Sequence, residues 1–176
     1  MSKLKLATVW LDGCSGCHMS LLDIDDAIVE VAALADLVYG PLVDAQEFPE
    51  GVDVTLVEGA VSSQDDLKLI QTIRKRTRLL VALGDCAVTG NVPAMRNSVP
   101  VKKLLESVYG GNGRPGAQIP TENVPALLKK AAPVHEAVKV DLHVPGCPPA
   151  AQTILLAVRE LLAGRKPNLA TVAKFG

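Results

Sequence analysis

The chain has 176 residues, 48% of them hydrophobic, and a formal net charge of −1. That length suits one domain with a full core, and the near-neutral balance gives no electrostatic footing for nucleic acid. Aromatic residues make up only 3%, too few for a base-stacking platform, and no apolar run reaches the ~18 residues of a membrane span.

In chain order, residues 6–11 (LATVWL) predict a first strand, followed by Gly13-Cys14-Ser15-Gly16-Cys17. Apolar residues from Met19 to Ala35 then recur at near-helical spacing. Asp23, Asp25 and Asp26 place acid in the first half of that helix, as suits an N-terminus. The segment 37–43 predicts a second strand broken by Gly40 and Pro41, and 52–57 a third ending at Glu58-Gly59. Ser62 or Ser63 is an N-cap candidate, with Asp65 and Asp66 in the first turn of a helix that runs through Thr77 and buries Leu67, Ile70 and Ile73. Arg74-Lys75-Arg76 reads as a solvated, dipole-favoured last turn. Residues 79–83 are a wholly apolar strand ending in Gly84-Asp85-Cys86.

Further on, 99–109 reads as a helix, 110–120 as a Gly/Pro-rich loop and 123–132 as a short helix. A last strand over 138–144 ends in Pro145-Gly146-Cys147-Pro148-Pro149, and a final helix over 150–163 is closed by Gly164. Strands alternating with helices require crossover connections. The fold class is therefore α/β, a mainly parallel sheet with helices on both faces. Gly111-x-Gly113-x-x-Gly116 matches a dinucleotide fingerprint only as a string, because it neither follows a strand nor opens a helix.

The four cysteines carry the chemistry. Cys14, Cys17, Cys86 and Cys147 each follow an apolar, strand-like run with a glycine within two residues before a cysteine. In an open parallel sheet, ligands bind outside the carboxyl ends of the strands, so these thiols are expected to meet at one edge, with Glu58 among them. Three readings stand. A thiol–disulfide C-x-x-C explains Cys14 and Cys17 but not the equivalent placement of the other two. Structural zinc favours two close pairs, whereas the spacing here is two plus one plus one. A cubane iron–sulfur cluster suits four thiolates arriving from three loops. His18 reads as a contact behind the ligands or a simple helix start, His143 as a strand residue and His135 as surface. Glu58 can hydrogen-bond a loop, face a partner or pass protons.

With these residues assembled, the chain resembles the small subunit of NiFe-hydrogenases. GCSGCHMSLLD, VEGAV, GDCAVTGNVPAMRN and VPGCPP occur in the family's order and span nearly the whole chain. The resemblance implies a flavodoxin-like fold over residues 1–176, a single proximal-cluster domain with one 4Fe-4S cluster on Cys14, Cys17, Cys86 and Cys147. It implies a NiFe large subunit that performs the dihydrogen chemistry. The absence of an export signal or spare cysteine makes the chain most similar to the cytoplasmic NAD-reducing (bidirectional) form, whose electrons pass to a flavin- and iron–sulfur-containing diaphorase. Small subunits of ferredoxin- or NADP-linked soluble hydrogenases would share every ligand, and a zinc-bound interaction protein is the reading from another class. Bound flavin mononucleotide has room in a flavodoxin-like fold, although no phosphate loop is evident. The related quinone-reductase subunit of respiratory complex I has adjacent first cysteines, and here Ser15 and Gly16 separate them.

Overall fold

The apolar run of residues 79–83 has no polar alternation because both of its faces are covered. In a computed structural model describing residues 3–110 and 118–175, it forms most of β5 (Thr77–Leu83). Val81 and Leu83 point into one buried cluster, and Leu80 and Ala82 into another. This is the pattern of a parallel strand sandwiched between helix layers. β5 pairs with β3 (Val52–Glu58) on one side and β7 (Leu142–Val144) on the other, both parallel. β1 (Leu4–Trp10) joins β3 and β2 (Ala35–Tyr39), also in parallel. The sheet order is β2-β1-β3-β5-β7. Counting only these five strands, it is the 2-1-3-4-5 order of flavodoxin-like folds, whose topological switch point lies between the first and third strands.

Helices α1 (Gly16–Leu22) and α2 (Ala27–Leu34) follow β1. With α8 (Ala151–Leu162) they cover one face, where Ile24, Val31, Ile154 and Val158 are buried. On the other face lie α3 (Gln64–Arg76), α4 (Asp85–Thr89) and α7 (Val134–Ala137), with Ile70, Ile73, Ala87 and Val134 buried. α5 (Asn91–Ala94), a 3-10 turn over Met95–Ser98 and α6 (Val101–Tyr109) complete the described helices. None of the described helices is long and apolar enough to cross a membrane.

Several expectations change in detail. The stretch expected as one helix after β1 is two, split by a turn in which Asp25 adopts φ +52°. The aspartates that suggest a helix start mark this break instead. The second strand begins earlier than expected and ends before Gly40. The segment 123–132 is not helical. It contains β6 (Leu127–Ala132), antiparallel to β4 (Val61–Ser63). Its backbone has partners a lone helix would forgo. Asn97 donates to Ala131 O and accepts from Ala131 N, both at 2.8 Å, and Arg96 donates to Ser62 O and Leu128 O at 3.0 and 3.1 Å. The last strand, expected from residue 138, is shortened to Leu142–Val144, because just before it Asp141 accepts the Leu80 N–H at 2.8 Å through its side chain rather than through a strand ladder. The Gly111-x-Gly113-x-x-Gly116 string lies outside the described residues.

The α3 cap takes the form the sequence suggests. Ser63 accepts the Asp66 N–H at 3.1 Å and Asp66 accepts the Ser63 N–H at 2.8 Å, a reciprocal capping box. Ile70 and Ile73, one turn apart on the inner face, are fully buried. Ile73→Ala is expected to lower stability by about 2–5 kcal/mol through transfer and cavity costs. Ser63→Ala should lower it by about 0.5–2 kcal/mol through the lost cap. Urea unfolding midpoints measure both, and a Ser63→Ala midpoint equal to that of the parent would strip the cap of its contribution.

Candidate metal centre

The first pair of thiols lies where the chain leaves β1. Leu11 N donates to Glu58 O at 2.9 Å, and Asp12 and Ala60 exchange backbone hydrogen bonds at 3.1 and 2.8 Å, so the loops after β1 and β3 are clipped together. Gly59 makes this possible. It holds φ +92°, and a Cβ there would fall 2.8–2.9 Å from backbone atoms of Leu11 and Asp12. The clip sends Cys14 outward, exposed, and Cys17 inward on the first turn of α1, buried.

The other two thiols are held to each other's loops. Gly84 N donates to Val144 O at 2.8 Å, Asp85 N donates to Gly146 O at 2.9 Å, and Gly146 N donates back to the Asp85 carboxylate at 2.6 Å. The loops carrying Cys86 and Cys147 therefore form one hydrogen-bonded unit. Cys86 is half-buried on α4 and Cys147 is exposed after β7. The two regions meet at Gly84, where a Cβ would lie 2.2 Å from Cys17 Sγ. A side chain at 84 would displace the thiol. Ser20 Oγ adds a tie at 2.5 Å to Pro149 O, joining α1 to the loop of Cys147.

The four sulfurs sense one another. Burial pushes the Cys17 thiol far up, and Glu58, Cys86, Cys14 and Cys147 push it further by charge, in that order. Cys86 is also raised, by burial and then by Cys147 and Cys14, while the Val92 backbone N–H bonded to its sulfur pulls the other way. Asn91 Nδ2 donates to Cys147 Sγ at 3.5 Å. Among the described residues no three His, Cys, Asp or Glu side chains are grouped tightly enough to chelate a single ion. As a donor set, four converging thiols with N–H groups on two of them fit an iron–sulfur cluster, for which hydrogen bonds to sulfur and burial set the potential.

Glu58 is the final residue of β3 rather than the residue after it, and it is 1% exposed. Its Oε2 accepts the His18 backbone N–H at 3.0 Å and is also in close contact with His18 Nδ1. A buried carboxylate thus anchors the start of α1 one residue beyond Cys17. His18 is itself buried, and its Nε2 has no hydrogen-bond partner among the described residues. The sequence suggests a contact behind the ligands for His18 but gives no sign of its partner, because the two residues are 40 positions apart. Sequence reasoning misses Asn91. Its one signal is the Gly90-Asn91 pair, which turns the chain with φ +88° and +30°. His143 lies on β7, and His135 is exposed with its ring 5.8 Å from that of His143.

The chain is similar to several known proteins. The chain is 39% identical over 170 residues to one subunit of the F420-non-reducing hydrogenase (vhu) of Methanocaldococcus jannaschii, matching 96% of its own length but only 59% of that relative's. It spans a larger share, 82%, of the NAD-reducing hydrogenase HoxS subunit delta of Cupriavidus necator, at 36% identity over 172 residues. A chain in the crystal structure of an NAD+-reducing [NiFe]-hydrogenase in the H2-reduced state superposes with a TM-score of 0.95 at 36% identity, covering 99% of this chain and 100% of that one. Residues 14–161, which contain all four thiols, match the model of the NADH ubiquinone oxidoreductase, 20 Kd subunit family. The chain belongs to that family and is a homologue of the delta subunit of NAD-reducing hydrogenase.

Proposed function

We propose that this chain is the electron-relay subunit of a soluble NAD-linked hydrogenase, with residues 1–176 acting as one cluster-bearing domain. The observation that carries this reading is the convergence of Cys14, Cys17, Cys86 and Cys147 beyond the carboxyl ends of β1, β5 and β7. These four would hold one 4Fe-4S cluster, which supplies one-electron transfer when bound. The protein's own work is placement and insulation. Gly84 lets the backbone approach Cys17, the Asp85–Gly146 pair aligns two loops, and Glu58 fixes the start of α1. A single structural zinc is less well served, because such sites favour two close pairs whereas the spacing here is two plus one plus one. A disulfide exchanger has no use for Cys86 and Cys147 beside the C-x-x-C.

The partners follow from the surface and from the relatives. In the segments that carry the thiols, Trp10, Met19 and Val92 are exposed, Met19 by 58%. Apolar side chains at such a rim suit a subunit that covers the site. The proposed occupant is the NiFe large subunit, whose own centre would perform the dihydrogen chemistry. NAD is proposed as the final acceptor through a flavin- and iron–sulfur-containing diaphorase, in keeping with the name of the relative from Cupriavidus necator. No phosphate-binding loop is evident in the sequence, so flavin is proposed on the diaphorase. The site of action is the cytoplasm.

Anaerobic purification should yield a brown protein with about four irons and matching acid-labile sulfide for this chain. Cys86→Ser or Cys147→Ser should remove or convert the cluster, whereas one zinc and no colour would end the reading. In the metal-free chain at pH 8, alkylation should reach exposed Cys14 and Cys147 first and Cys17 last. The thiolate is the reactive form, and burial and Glu58 both hold Cys17 protonated to higher pH. Peptide mapping by mass spectrometry reads the order, and fast labelling of Cys17 would show that the site opens without its metal.

A further inference from the structure

Two groups touch the thiol site at different corners with opposite electrical sense. Glu58 brings a carboxylate to the Cys17 corner, in an environment with almost no solvent to screen it. At the other corner, Asn91 directs a side-chain N–H at Cys147 Sγ over 3.5 Å, and the next residue, Val92, directs its backbone N–H at Cys86. Neither arrangement is needed merely to continue the chain. Glu58 ends a strand whose register is already fixed by β1 and β5, and Asn91 takes φ +30° beside a glycine that already turns the backbone.

We propose that Glu58 and Asn91 set the reduction potential of the bound cluster in opposite senses, the carboxylate lowering it and the amide raising it. The inference rests on the cluster assignment made above. One electron enters and no bond is made or broken, so the reduced state differs by one added negative charge. A fixed anion nearby disfavours that charge, and an N–H aimed at a ligand sulfur favours it. Burial strengthens the Glu58 effect, because the effective dielectric at that corner is low, whereas the Asn91 contact acts at exposed Cys147. Consistent with this, Glu58 is the strongest of the charges acting on Cys17, and the Val92 N–H is the group that stabilises anionic Cys86. The His18 backbone N–H donates to the carboxylate and the His18 ring nitrogen Nδ1 lies in close contact with it. The chain thereby holds an electron-repelling and an electron-attracting residue against the same donor set.

The test uses the complete native complex, purified anaerobically. Redox titration is followed by electron paramagnetic resonance on the signal that Cys147→Ser alters, and iron and acid-labile sulfide are counted in each sample. Glu58→Gln keeps an oxygen acceptor for the His18 backbone N–H and removes the charge. Asn91→Gly tolerates the positive φ and removes the donor. The expected result is a more positive potential for Glu58→Gln and a more negative one for Asn91→Gly, each with full iron content. Shifts in the same direction, or an unmoved potential in either variant, overturn the proposal. An unmoved Glu58→Gln potential would mean that His18 already cancels the charge. Loss of the cluster from both Glu58→Gln and Glu58→Ser, or from both Asn91→Gly and Asn91→Ser, would mark that residue as a loop anchor and equally overturn it. A parent complex lacking iron and sulfide on this chain refutes the cluster assignment itself, a separate outcome from a loaded cluster whose potential ignores these residues.

Discussion

Like charges gathered at one sheet edge repel, and this repulsion is the constraint on which the architecture depends. Four thiols share the edge with Glu58, and each thiol that ionises makes the next harder to ionise. Without metal the site therefore stays largely protonated at its buried corner. Binding of the proposed cluster would reverse that balance, because ligation requires thiolates and releases protons. The protein cannot draw the thiols together by their own attraction. It has to hold them there by backbone connections formed elsewhere.

Those connections come from the parallel sheet. β1, β5 and β7 end at the same edge, and hydrogen bonds between the following loops carry the alignment past the last strand residues. Gly59 and Gly84 are the two points of closest approach, one between loop backbones and one between backbone and the Cys17 sulfur. Asp85 and Glu58 use carboxylates as acceptors for loop N–H groups, 61 and 40 residues away respectively. Local turns alone would not place sulfur atoms this consistently, since each ligand loop is short and the chain between them is long. The buried faces on both sides of the sheet provide the stiffness.

Much of this was legible in the chain. The wholly apolar run over 79–83 marked β5 and the run over 52–57 marked β3, and glycines just before the cysteines after strands marked the edge. The Ser63 cap followed from its spacing to Asp66. What escaped was set by tertiary pairing. Residues 127–132 have no strong strand character, and they extend because Arg96, Asn97 and β4 satisfy their backbone. The break at Asp25 depends on a positive φ that composition does not announce. Likewise, the Glu58–His18 contact and the aim of Asn91 join residues distant in sequence, which a single chain without contacts cannot reveal.

The reciprocal bonds between Asp85 and Gly146 also carry a meaning for biosynthesis. Cys147 lies beyond β7, the last of the five strands in chain order, and it takes its place only when that strand docks beside β5. As the polypeptide emerges from the ribosome, three sulfurs are available long before the fourth. Until translation has passed the final crossover, the donor set at the sheet edge is incomplete. Any group that needs all four thiols at once thus finds a complete donor set only after the final crossover has docked.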